Sequence, residues 1–225
     1  MAWIFHLLLR TALLLAVAGP ASASTLEVLA QQVDGQPVAD AVVTLHGPAQ
    51  APQGVLKADM DQRGQRFAPH VLAVHTGTQV RFPNSDNIRH QVYSFSAAKR
   101  FELRLYEGTP TDPLLFDRPG VVVLGCNIHD WMLGYIYVTD DPRFGVSDAQ
   151  GRVRLEQLPA GDYHLTVWHP QLADMQPLDG GTLHIPAAGL SHRVTLSLEP
   201  APADLPPPPS AFGDAFNRAA HETAQ

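Results

Sequence analysis

The chain has 225 residues, of which 45 % are hydrophobic and 16 % charged, with 17 glycines, 20 prolines and a formal net charge of −7. That glycine and proline content disfavours a helical bundle and suits a turn-rich β protein, and the acidic balance argues against a nucleic-acid partner. A single cysteine rules out a disulfide scaffold and leaves Cys126 to be buried, reactive or a metal ligand.

Residues 1–23 read as an export signal: a short start with Arg10, an apolar stretch from Thr11 to Gly19, and the small-residue triplet Ala21-Ser22-Ala23, with cleavage expected after Ala23. The apolar stretch is too short to cross a bilayer and nothing later approaches 18 consecutive apolar residues, so no transmembrane segment is expected. The mature chain is thus expected in the periplasm, an oxidising compartment. Its about 202 residues suffice for one large or two small domains.

Short β-branched or aromatic runs bounded by turn residues predict strands at 38–45, 71–82, 92–95, 101–105, 121–124, 133–138, 153–155, 163–168 and 194–198. Turn signals fall at 34–35, 75–77, 119–120, 150–151, 160–162 and 179–181. No part of the mature chain keeps a 3.6-residue period, so the expected fold class is all-β, built from β-sandwiches. Residues 55–139 carry nine Lys/Arg against eight Asp/Glu, a near-neutral module between acidic flanks. Residues 200–225 open on a proline-rich linker and read as a mostly disordered tail, with Ser210 as the cap of any short helix that forms there.

The chemistry concentrates at the lone cysteine, in Gly125-Cys126-Asn127-Ile128-His129-Asp130-Trp131-Met132. Thiolate, imidazole and thioether recur there every third residue, between two predicted strands. A second histidine, His90, closes the upstream segment Phe82-Pro83-Asn84-Ser85-Asp86-Asn87-Ile88-Arg89-His90. A thiolate with two imidazoles in a trigonal plane and a weak axial thioether is the ligand set of a blue-copper electron-transfer site. Cys126 can also be read as a small buried hydrophobe, and Cys with His also binds zinc. Methionine in the loop, in place of a fourth His, Cys or carboxylate, favours copper.

On these residues the chain resembles the cupredoxin family, over about residues 55–139, with the short ligand-loop spacing of its amicyanin branch. The run from Ala68 to Val80 is similar to the strand preceding the family's first ligand, Asn84 and His90 match its Asn and first ligand His, and Cys126, His129 and Met132 match its ligand loop. The resemblance implies a single type 1 copper ion and a soluble, non-enzymatic one-electron carrier. Its partners would be redox proteins such as a periplasmic dehydrogenase or a c-type cytochrome. The chain departs from the family at Gln91, where Asn usually follows the first ligand, and at Ile128, where plastocyanin and amicyanin have proline. Trp131, before the axial methionine, either shields the metal edge or packs the loop. Asn84, Gln91, Ile128 and Trp131 are therefore expected to surround the ligands.

The flanks carry a second resemblance. The run from Val33 to Leu45 is similar to the opening of a carboxypeptidase regulatory-like domain, a small transthyretin-like β-sandwich, and its continuation comes only at 147–155 and 158–167. The expected organisation is a copper sandwich at 51–139 inserted into a second, discontinuous sandwich made of 24–50 and 140–199. The remaining histidines show no ligand spacing, and His164 and His184 read as surface or packing residues. No catalytic triad, phosphate-binding glycine loop or paired carboxylates stand out. Copper capture or delivery, and a structural β-protein with a vestigial site, remain as alternatives to electron transfer.

Overall fold

The computed structural model describes residues 23–110 and 112–200. The expected export signal, up to its last residue, and the expected tail beyond residue 200 lie outside the described residues. Within them regular structure is β throughout, apart from a three-residue 3-10 turn at Ala173–Met175.

Two groups of sheets form. In the first, a five-stranded sheet runs in the spatial order Val71–His75, His129–Thr139, Gly120–Cys126, His90–Ser94, Phe101–Tyr106. A three-stranded sheet of Leu114–Phe116, Thr78–Arg81 and Lys57–Asp59 shares its core, with Val74, Val80, Phe82, Val92, Phe116, Val122, Leu124 and Ile136 all buried together. Side chains alternate between faces along a strand, so His90 points inward with Val92 and Ser94, and Cys126 with Val122 and Leu124. Strand period alone thus brings both residues to the same core.

In the second group, Arg152–Leu158, Ser24–Gln32 and Leu190–Leu196 form one sheet, and Arg143–Val146, Val42–His46, Gly161–Trp168 and Leu178–Ile185 form the other. Leu26, Val28, Val43, Leu45, Val153, Leu155, Tyr163, Leu165, Ile185 and Leu196 make one core, and burying each large aliphatic contributes about 1.5–3 kcal/mol. The buried Ser147 hydroxyl, just after Arg143–Val146, ties that strand's end to 38–41, accepting from Ala41 N–H at 2.8 Å and donating to Val38 O at 2.7 Å. A third cluster, Val42, Val71, Tyr135, Tyr137 and Trp168, joins the two groups. It uses the face of His129–Thr139 opposite to the one bearing Ile136 and Val138.

Three expectations about local structure need correction. The run at 71–82 is two strands, because Gly77 turns at φ 89° and Thr78 Oγ1 donates to His75 O at 2.7 Å. Residues 179–181 are not a turn but lie in Leu178–Ile185. The register slips there opposite Leu165 and Thr166, and a side chain on Gly180 would start 2.7 Å from Leu165, as expected of strand glycines that mark a bulge. The strand Ser24–Gln32 was not foreseen. Its outward Leu29 and inward Ala30 blur the alternation that would have revealed it.

Candidate metal centre

A hairpin and one loop deliver the donors. Gly120–Cys126 and His129–Thr139 pair in regular register from Gly120 with Val138 to Gly125 with Leu133, after which Cys126 pairs with His129. Asn127 and Ile128 make the turn, and Asp130, Trp131 and Met132 are extra residues on one strand. Such a bulge re-aims side chains and ends regular pairing. Glycine precedes the cysteine for a steric reason: any Cβ at Gly125 would fall 2.8 Å from the Tyr93 ring of the neighbouring strand.

Cys126 Sγ lies 3.9 Å from His90 Nδ1 and 3.8 Å from His129 Nδ1. The two imidazole rings are 5.0 Å apart, and the three donor atoms all lie within 4.8 Å of one another. Among the described residues this is the one group of three or more His, Cys, Asp or Glu donors close enough to share an ion. His90 is 0 % exposed and Cys126 3 %, while His129 reaches the surface in part. Burial, and then the neighbouring His90, push the His129 imidazole below its ordinary value against the pull of the Asp86 charge, and the net shift favours the neutral ring. Bonds of about 2.0–2.1 Å to nitrogen and about 2.3 Å to sulfur, opening at a trigonal angle, separate such donors by just under about 4 Å. The observed spacing fits one ion held between them. Met132 is buried in the same core as Cys126.

The surroundings divide. Asn84 is buried: Nδ2 donates to Ile88 O at 2.8 Å and Tyr106 O at 3.0 Å, and Oδ1 accepts from Asp86 N–H at 3.0 Å. It therefore fixes the loop that carries His90. Replacing Asn84 with Ala strands these backbone groups, and unfolding free energy should fall by about 2–3 kcal/mol in a denaturant titration. Trp131 packs its ring 5.2 Å from that of His129, with its indole nitrogen buried and unbonded. Ile128 occupies the turn and is 47 % exposed. Gln91, expected beside the ligands, instead donates to Glu102 on the adjacent strand at 2.8 Å, because alternation turns it to the face opposite His90.

One residue escaped the sequence reading. Asp86 Oδ2 sits 2.8 Å from His90 Nε2, and its carboxylate also accepts the backbone N–H groups of Gly64 at 2.6 Å and Gln65 at 2.9 Å. Burial works against its charge, but the Gln65 and Gly64 amides and His90 outweigh it and hold the carboxyl below its ordinary value. Its signal was a carboxylate four residues before His90, in a loop too irregular for that spacing to imply contact. Of the other histidines, His184 pairs with Asp162 at 2.7 Å and His164 with Asp179 at 3.3 Å, all on exposed strand positions.

No helix of the described residues is long and apolar enough to cross a membrane. No protein-family model matches the chain, and no curated protein does. Among solved structures it is similar to a purple cupredoxin from Nitrosopumilus maritimus, at 21 % identity and TM-score 0.33, over 36 % of this chain and 99 % of that one. It is similar to a reduced amicyanin variant at 18 % identity and TM-score 0.34, over 43 % of this chain and 98 % of that one. A copper-containing nitrite reductase from Thermus scotoductus SA-01 is similar at 25 % identity and TM-score 0.35 over 50 % of this chain, which spans 28 % of that longer protein.

Proposed function

We propose that the protein is an exported, periplasmic type 1 copper protein that carries one electron at a time, with His90, Cys126 and His129 as the strong ligands and Met132 as the weak axial one. The observation that carries this reading is the meeting of two imidazole nitrogens and one thiol sulfur within 4.8 Å at the end of the five-stranded sheet, with His90 and Cys126 buried and His129 half-buried. A bound copper ion would supply a Cu(II)/Cu(I) couple, which soft sulfur and borderline imidazole ligands both accommodate. The chain's own part is to hold these donors in place and exclude water. His90 is locked by its loop, Cys126 by the ladder and by Tyr93 over Gly125, and Trp131 covers one side of His129. Donors that cannot rearrange keep the cost of electron transfer low. The partner is another redox protein, and the chain has no catalytic role of its own.

The two groups of sheets support reading residues 51–139 as a copper module inserted into a discontinuous transthyretin-like sandwich of 24–50 and 140–199. Val42–His46 pairs along its length with Gly161–Trp168, and Ser24–Gln32 lies beside both Arg152–Leu158 and Leu190–Leu196.

The test is addition of Cu(II) to the mature chain with its thiol reduced. An intense visible thiolate-to-copper band is expected. Cys126→Ser should abolish that band and leave the circular dichroism of the metal-free protein unchanged. A colourless Cu(II) adduct of the wild type rejects the type 1 reading. Reversible voltammetry distinguishes a carrier from a protein that hands copper on to an acceptor.

A further inference from the structure

We propose that Asp86 is the positioning residue of this centre: its carboxylate fixes His90 with Nδ1 toward Cys126 and biases bound copper toward the higher oxidation state. This rests on the copper reading above and adds a residue that the ligand pattern does not contain.

The geometry comes from two loops. The strands Asp61–Gln62 and Phe67–Ala68 form a small hairpin, closed by Arg63 N–H to Arg66 O at 2.9 Å and Arg66 N–H to Arg63 O at 3.3 Å. Its two central residues, Gly64 and Gln65, are both left-handed, at φ 61° and 58°. That is the two-residue hairpin turn with positive φ at both positions, and Gln65 pays about 1–2 kcal/mol to adopt it. The N–H groups of these same two residues end on the Asp86 carboxylate. On the other side, the Asp86 N–H is held by Asn84 Oδ1. The carboxylate is therefore fixed from two directions before it meets His90.

An ionised carboxylate only accepts hydrogen bonds. His90 Nε2 must carry a proton, so in the neutral ring the lone pair is on Nδ1, the atom that faces Cys126 Sγ at 3.9 Å. His90 is 0 % exposed and the Asp86 side chain 13 %, so the pair is little screened by solvent. A carboxylate bonded to the far nitrogen of a ligand histidine orients the ring and makes it a stronger donor. It also places a full negative charge close to the site, and that charge favours Cu(II) over Cu(I) because the metal then carries one more positive charge. A neutral hydrogen-bond acceptor would orient the ring without this bias.

The test uses the full mature chain as wild type and as Asp86→Asn, which keeps shape and removes charge. In metal-free wild-type protein, nitrogen chemical shifts should show the neutral His90 ring as the Nε2–H tautomer. With copper, Asp86→Asn should weaken Cu(II) binding by about 10–100-fold and Cu(I) binding by at least tenfold less. The potential should then rise by about 59 mV for each tenfold difference in the two losses, with the visible band retained. Equal losses, and so an unchanged potential, overturn the bias. A metal-free His90 that carries its proton on Nδ1 overturns the positioning role, and this measurement needs no variant, so an Asp86→Asn chain that fails to fold does not shield the proposal. A wild type that gives no coloured Cu(II) adduct counts instead against the copper reading, and the tautomer measurement still tests the positioning role.

Discussion

Trp168→Ala should lower the unfolding free energy by about 3–5 kcal/mol, the range for deleting a fully buried large aromatic. Trp168 is 0 % exposed and sits opposite Val42 in the sheet. Its ring packs 5.9 Å from that of Tyr135 and 5.3 Å from that of Tyr137, and its indole N–H donates to Met175 O at 2.9 Å. Both tyrosines belong to the strand that begins at His129, so one side chain fills the seam between the two groups of sheets. Removing it leaves a cavity on that seam and an unsatisfied carbonyl on the 3-10 turn. The neighbours that would have to close the gap are held in two separate ladders, so little collapse is available. Denaturant titration should show a lower midpoint with an unchanged slope. A loss below about 1 kcal/mol would mean that the seam is loosely packed and that the two cores are stabilised independently.

How far the sequence anticipates this arrangement depends on the range of each interaction. Cys126, His129 and Met132 lie within seven consecutive residues, so their spacing alone suggested a shared ligand set. His90 was legible because its loop is compact and bounded by apolar residues. Asp86 was not, since its orientation is set by Gly64 and Gln65 more than twenty residues upstream, and no local pattern reports where a hairpin turn aims its amides. Gln91 was misplaced because a family habit was carried over to a side chain that strand alternation turns outward. The all-β content was visible in the many short runs, but strands with poor alternation or internal glycine, Ser24–Gln32 and Leu178–Ile185, were missed or read as turns. The seam at Trp168 joins residues from 42 to 168, and its partners cannot be inferred from windows of ten or fifteen residues.

Acidification from pH 7 to pH 4 should cost the protein ~3 kcal/mol through His169 alone, most of it above about pH 5, where the carboxylates begin to titrate. His169 showed no functional spacing in the sequence, yet in the structure it is 5 % exposed. Nε2 donates to Ala39 O at 3.1 Å, and Nδ1 accepts the Gln171 N–H at 3.1 Å. Both ring nitrogens are therefore satisfied by one neutral tautomer. A second proton on Nδ1 would face the Gln171 N–H with no acceptor between them. Burial pushes the imidazole down from 6.5 to about 4, against the opposing pull of the Asp40 charge and the Ala39 bond, and the nearby His70 adds to the depression. The unfolded chain takes up the proton near pH 6.5 and the folded one only near pH 4. Between those values the unfolded state binds more protons, and stability falls as pH falls. Above about 6.5 the contribution is fully present, and below about 4 it is lost and the curve flattens. His75 and His129, also pushed down by burial, titrate in the same direction, so the His169 share has to be isolated by difference. Asp59, Asp86 and Asp148 are held below the ordinary carboxylate value of 3.8; their losses begin below about pH 5, as the unfolded chain takes up protons, overlap the acid end of the window and cancel in the same difference. His169→Asn keeps a donor for Ala39 but cannot titrate. It should be less stable than wild type at pH 7, and the gap should close by ~3 kcal/mol as the pH is brought to 4. Urea titrations of both proteins at half-unit pH intervals measure that gap, and a difference that stays constant from pH 7 to pH 4 would show that His169 is protonated in the folded protein as readily as in the unfolded chain.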